Sequence, residues 1–134
     1  MRADRRLGAR LVAAAFAVGG VAHLVRPRIF TGIVPRSLPS PRGVVYASGA
    51  AELACAAGLF SRARWAPLAS AALLLAVWPA NVRMALDVTG RAGEAERWKV
   101  AAVWARVPAQ LLLVRAVLRE RRPAPGRGRE GTDL

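Results

Sequence analysis

Cysteine is nearly absent from this sequence, which contains a single thiol, Cys55. One thiol cannot form an internal disulfide or a CxxC redox pair, and it is too few for a cysteine-ligated metal or cluster. This excludes membrane enzymes that generate disulfides through paired cysteines. No catalytic motif stands out elsewhere, and we predict neither catalytic residues nor a metal site.

Acidic residues are also scarce: there are 8, against 21 basic residues, all arginine except Lys99, which gives a net charge of +13. A basic chain can bind nucleic acid, but this one lacks a recognition-helix pattern, a zinc-ligand set and an aromatic platform for bases. Its arginines lie at the ends of apolar stretches and in the carboxy-terminal tail, where anionic lipid headgroups attract them. We therefore expect the lipid bilayer, and no nucleic acid, as a partner.

Long polar segments are missing too, since 54% of the 134 residues are hydrophobic and gather in four stretches. That length accommodates one domain. The sequence predicts an all-α integral membrane four-helix up-down bundle over residues 1–118, with helices at about 7–25, 43–60, 65–86 and 98–118. A cleaved signal peptide is the rival interpretation of the first stretch, but no small-x-small cleavage site supports it.

Prolines separate the first two predicted helices, at positions 27, 35, 39 and 41. They prevent a long helix there and indicate a short interfacial segment after helix 1. Residues 119–134 are rich in Arg, Pro and Gly, which predicts a disordered basic tail. The tail arginines favour cytoplasmic termini on both ends, and the abundance of arginine and alanine is typical of a bacterial, GC-rich genome.

The stretch Gly43 to Phe60 carries one charge, Glu52, near its middle. A helix of this length spans about 27 Å, close to the hydrocarbon thickness of a bilayer. A carboxylate at mid-bilayer costs about 2.5–3.5 kcal/mol, so Glu52 should face protein and have a partner. Its helical face is mostly small, which favours close approach of another helix: Val45, Ser48, Gly49, Cys55 and Ala56. Glu52 therefore has two open interpretations, a role in helix packing and a functional role.

Four more polar residues lie in the spans: His23, Asn81, Arg106 and Gln110. Counting about 1.5 Å per residue along alternating helices places all of them, with Glu52, between the mid-plane and the side of the membrane opposite the termini. Glu52 and Arg106 come to the same depth, which predicts that they form an ion pair. His23, Asn81 and Gln110 would complete the hydrogen bonding in a shared polar pocket. A buried network that only fixes helix register is the alternative.

Several short motifs occur in an order that resembles the DoxX-like family of small bacterial membrane proteins. They are His23 with RPRIFTGIVPRSLP after it, SGAAEL around Glu52, WPANVRMALD around Asn81, and RVPAQ around Arg106 and Gln110. The resemblance covers residues 7–118 and implies a four-helix membrane bundle. It also implies a role near quinone-linked or thiol-stress redox systems, with the polar positions mapping onto these five residues. No haem or flavin motif accompanies them.

Three functions follow as hypotheses. The first is a redox-associated accessory subunit of the bacterial plasma membrane whose polar pocket binds a quinone or another lipophilic small molecule, with a membrane oxidoreductase or a second copy as partner. The second is a non-catalytic assembly or chaperone-like protein that holds partners on small-residue faces. The third is a small proton-coupled transporter with Glu52 as the coupling acid, which a neutralising Arg106 would disfavour.

Overall fold

A computed structural model describes the backbone of residues 2–120 and the side chains of residues 6–94 and 96–120. Four α-helices account for most of it: α1 (Arg2–Val25), α2 (Pro41–Phe60), α3 (Ala66–Arg91) and α4 (Arg97–Leu118). Short 3-10 turns occur at Pro27–Ile29, Thr31–Ile33 and Glu94–Glu96. The all-α four-helix architecture is as predicted. Apart from Arg119 and Glu120, the predicted tail lies outside the described residues.

All four helices are long and apolar enough to cross a membrane. They form a multi-pass helical bundle in which α1 and α4 respectively begin and end on the same side. We call that side the near end and the opposite side the far end. The longest helix is α3, which continues through Pro79 to Arg91, five residues beyond the predicted end at Leu86.

The link between α2 and α3 at the near end is a tight turn. Arg62 adopts a left-handed conformation with φ 59°. The Ala63 amide donates to the Gly58 carbonyl at 2.8 Å and the Arg62 amide donates to the Leu59 carbonyl at 3.3 Å. This is the Schellman pattern, which satisfies the last carbonyls of a helix and reverses the chain. It aligns α3 antiparallel to α2 without a glycine at the left-handed position.

The segment after α1 crosses the far end as two consecutive 3-10 turns. The first turn packs on α2, and the second packs on both α2 and α3. Ser40 then caps α2 by accepting a hydrogen bond from the Gly43 amide at 3.3 Å, with Pro41 in the first turn. The predicted interfacial segment therefore covers part of the far end of the bundle.

The bundle consists of two tightly packed helix hairpins, α1–α2 and α3–α4, which contact each other less extensively. In the first hairpin two glycines let the backbones meet. A Cβ added at Gly20 would lie 2.8 Å from the Gly49 carbonyl oxygen, and one added at Gly49 would lie 2.8 Å from His23 Cβ. Only residues without a side chain permit this approach.

The apolar core fills the near half of the bundle. Each helix contributes two buried residues to it: Val12, Phe16, Cys55, Ala56, Ala71, Leu74, Val114 and Val117. These positions lie toward the amino-terminal half of α1 and α3 and the carboxy-terminal end of α2 and α4. The far half of the bundle is therefore the half in which polar side chains replace the core.

Candidate functional site

The polar residues of the α1–α2 hairpin form a direct pair. His23 Nδ1 lies 3.0 Å from Glu52 Oε2. The pair is largely shielded, since the His23 side chain is 16% exposed and that of Glu52 is 10% exposed. When Glu52 is ionised, its carboxylate can only accept, and Nδ1–H of His23 then donates to it. This contact gives the intramembrane acid the partner that its depth demands.

The second nitrogen of the His23 ring has a different environment. No described residue forms a hydrogen bond with Nε2. The ring of Phe30, in the interfacial segment, packs edge-on against the imidazole with centroids 4.1 Å apart. The two 3-10 turns thus hold the imidazole between an aromatic edge and a carboxylate. The hydrogen-bonding capacity of Nε2 is thus not used by any described residue.

Gly19 determines how close the Glu52 carboxylate comes to the surface of α1. A Cβ added at Gly19 would lie 2.9 Å from Glu52 Oε2. The missing side chain therefore makes room for the carboxylate on the face of α1 that is one turn from His23. Gly20 allows close packing against the backbone of α2, whereas Gly19 accommodates the acid.

The predicted ion pair between Glu52 and Arg106 is wrong in this structure. Glu52 pairs with His23, and Arg106 makes no hydrogen bond or ion pair with any described residue. The Arg106 side chain is exposed, although its charge still acts on Glu52 at longer range. Depth alone suggested the pair. The glycine contact brings α1 so close to α2 that His23 reaches the carboxylate first.

The polar residues of the α3–α4 hairpin form a second, separate group. Asn81 Nδ2 donates to Gln110 Oε1 at 2.8 Å, and Gln110 Nε2 donates to the backbone carbonyl of Leu74. Gln110 is 4% exposed. Pro79 has no amide to donate to the carbonyl four residues earlier, so α3 has spare acceptor capacity in this turn. Gln110 donates to the carbonyl of Leu74, which is one residue before the Leu75 carbonyl that Pro79 leaves without a helical donor.

Four of the five predicted residues therefore lie in two separate pairs and not in one network. His23 joins Glu52 and Asn81 joins Gln110, while the Arg106 side chain is exposed and belongs to neither pair. The sequence analysis missed Phe30 and the Leu74 carbonyl as contacts. An aromatic residue in a proline-bounded interfacial segment was the available signal for Phe30. Pro79 marked this turn of α3, but the carbonyl that it frees is that of Leu75, so no signal identified Leu74 itself.

Comparison with known proteins assigns the chain to a family through its sequence. No curated protein and no solved structure matches it. One family does match, over residues 12–121, which include all of the polar residues described above. The chain belongs to the family described as Domain of unknown function (DUF8561).

Proposed function

We propose that this protein is a DoxX-like accessory subunit of a redox system in the bacterial plasma membrane. Its site binds a quinone or another lipophilic small molecule at the His23–Glu52 pair. Both termini are cytoplasmic in this proposal, so the far half of the bundle faces outward, and a membrane oxidoreductase is the partner. The motif resemblance supports the redox association, and the geometry of the pair supports the binding site.

The observation that carries the proposal is the arrangement around the imidazole of His23. Nδ1 is held by Glu52 at 3.0 Å, while Nε2 has no hydrogen bond to a described residue. A carboxylate on one ring nitrogen fixes the orientation of the ring and allows the other nitrogen to exchange a proton. A quinone carbonyl can accept from Nε2–H when the ring is charged, and a quinol hydroxyl can donate to Nε2 when it is neutral. The pair suits either form of such a ligand.

The apolar core supports a binding site more than a transport path. The buried residues of all four helices fill the near half of the bundle, and this core contains no acidic or basic residue. A transported proton would need polar groups through this half, because unsolvated charge in an apolar interior is costly. A site that is closed on one side and reached from the far side or through a lateral opening suits a lipophilic ligand.

Quinone binding to purified protein in lipid nanodiscs tests this proposal. We expect the wild-type protein to bind a short-chain ubiquinone analogue, and His23→Leu or Glu52→Leu to abolish binding. Asn81→Leu is the matched control, because it removes one polar side chain from the other hairpin and should leave binding intact. Circular dichroism confirms that each variant is folded. Undiminished binding by both His23→Leu and Glu52→Leu would remove the site assignment.

A further inference from the structure

Arg106 is a membrane-embedded cation that has no direct ion pair in the described part of the chain, although its charge acts on Glu52 at longer range. It lies near the middle of α4 (Arg97–Leu118), it is exposed, and it has no hydrogen bond or ion pair with a described residue. An arginine at mid-bilayer costs about 2.5–3.5 kcal/mol when it faces lipid. The far end of α4 is about 13 Å away, farther than an arginine side chain extends. Snorkelling therefore does not fully relieve the charge.

The side of α4 on which Arg106 lies can be read from two contacts. Trp104 donates to Thr89 Oγ1 at 2.9 Å and marks the side that faces α3. Ala116 lies against Gly8 and marks the side that faces α1. At about 100° per residue, Arg106 is about 80° from Ala116 and about 160° from Trp104. Arg106 is also about 40° from the buried Gln110, so it borders the seam between α1 and α4 on the side that faces the bundle interior.

The depth of Arg106 along this seam coincides with that of Glu52. Gly8 of α1 lies opposite Ala116 of the antiparallel α4. Counting the same number of residues along both helices from this contact brings Arg106 beside Val18 and Gly19. Gly19 is the residue whose missing side chain makes room for the Glu52 carboxylate. At this depth the seam therefore contains the Arg106 cation and Gly19, and the carboxylate of the His23–Glu52 pair lies against Gly19.

The α1–α4 seam is also the least extensively packed junction between neighbouring helices. A molecule dissolved in the bilayer can enter there without displacing the glycine contact of α1–α2 or the amide contact of α3–α4. A second copy of the chain supplies no free acid at this depth. Glu52 is bound to His23, and Asp87 lies near the far end of α3 with Arg91 at 3.7 Å.

We infer that Arg106 binds an anionic oxygen on the head of the ligand, so that the site selects acidic amphiphiles over neutral ones of the same shape. This inference rests on the proposed function, because it concerns the ligand of the His23–Glu52 site. The head lies in the seam between Arg106 and Gly19, and its apolar chain extends into lipid. A charge-assisted hydrogen bond between guanidinium and the anionic oxygen supplies the selectivity.

A matched pair of probes tests the inference: a 2-hydroxy-1,4-naphthoquinone with an alkyl chain, which is an anion at neutral pH, and its neutral 2-methoxy counterpart. In nanodiscs of zwitterionic lipid, we expect wild-type protein to bind the anionic probe about tenfold more tightly. Arg106→Gln should abolish the preference while keeping affinity for the neutral probe. Arg115→Gln, which removes another exposed arginine of α4, should preserve it.

Equal affinities for the two probes in wild type, or a preference that survives Arg106→Gln, would overturn the inference and leave the proposed function standing. Failure of wild type to bind either probe would overturn both. Repeating the titration with phosphatidylglycerol in the nanodiscs identifies the source of the natural anion. Competition with the anionic probe points to a phospholipid headgroup, and unchanged affinity points to a free amphiphile. In each case Arg106 is the residue that binds the anion.

Discussion

The α1–α2 hairpin is closed by glycine against glycine and carries an ionisable pair, whereas the α3–α4 hairpin is closed by neutral amides beside prolines. Both hairpins join their polar residues across the helix interface in the far half of the bundle. In the second, Asn81, Gln110 and the Leu74 carbonyl satisfy one another. In the first, one nitrogen of His23 is left over. This difference is why we propose that the amide group serves packing and that the ionisable pair binds the ligand.

The largest effect on stability should come from the glycine contact. In Gly20→Ala the new Cβ would lie 2.8 Å from the Gly49 carbonyl oxygen, a backbone atom that cannot move without separating α1 from α2. We expect a loss of about 2–3 kcal/mol in the free energy of unfolding. Equilibrium unfolding in mixed micelles measures it. Gly90→Ala, also in a helix but with no atom within 4 Å of the new Cβ, is the control and should not destabilise.

The next largest effect should come from the amide group. Gln110→Leu removes the donor to the Leu74 carbonyl and the acceptor for Asn81, leaving both without these partners in a low-dielectric interior. We expect a loss of about 1–2 kcal/mol in the same unfolding measurement. Asn81→Leu breaks one of the two hydrogen bonds and should cost less. A smaller cost for Gln110→Leu than for Asn81→Leu would contradict the assignment of Gln110 as the centre of the group.

A polar side chain without a partner should behave in the opposite way. Ser70 in α3 is fully buried, and its Oγ has no hydrogen-bond partner among the described residues. Replacing such a hydroxyl by hydrogen removes a desolvation cost and leaves little empty space. We expect Ser70→Ala to raise the free energy of unfolding by about 0.5–1 kcal/mol. Destabilisation would show that the hydroxyl has a bonded partner and that its burial is not a cost.

The smallest effect belongs to the exposed turn that joins α3 to α4 at the far end. Lys99 hydrogen-bonds Glu96 and lowers the pKa of that carboxyl. Any stabilisation is therefore present above the usual pKa of a glutamate and lost as pH falls through the lowered folded-state value. In Lys99→Gln, we expect the pKa of Glu96, followed by NMR titration, to return toward its usual range. Unfolding at neutral pH should not change, because the pair is exposed; a shifted midpoint would contradict this.

Much of the architecture could be predicted from the sequence, because length and hydropathy determine which segments can cross a bilayer. The buried face of α2 also followed from helical spacing: Ser48 is half-buried, and the other predicted residues, Val45, Gly49, Glu52, Cys55 and Ala56, are buried. The partner of Glu52 did not follow. Depth along a helix can be counted from the sequence, but rotation about the axis and interhelical distance depend on packing.

The same limit explains why the sequence did not show that four of the five polar residues form two separate pairs and that Arg106 belongs to neither. Counting residues brought His23, Asn81, Arg106 and Gln110 to similar depths as Glu52. It gave no information on which hairpin would close more tightly. The Gly20–Gly49 contact decided that, because it favours α1 over α4 as the neighbour of the acid. Two glycines that face each other across an interface cannot be recognised until the rotation of both helices is known.

The central claim is that the acid of the bundle holds the imidazole of the same hairpin, and the sequence contains a single histidine with which to test it. Solid-state NMR of protein labelled with ¹⁵N-histidine in lipid bilayers reports the hydrogen bond at Nδ1 without interference from other residues. We expect a signal for a hydrogen-bonded Nδ1–H that is lost in Glu52→Leu and retained in Arg106→Gln. A signal unchanged in Glu52→Leu would contradict the pairing of His23 with Glu52, and with it the site.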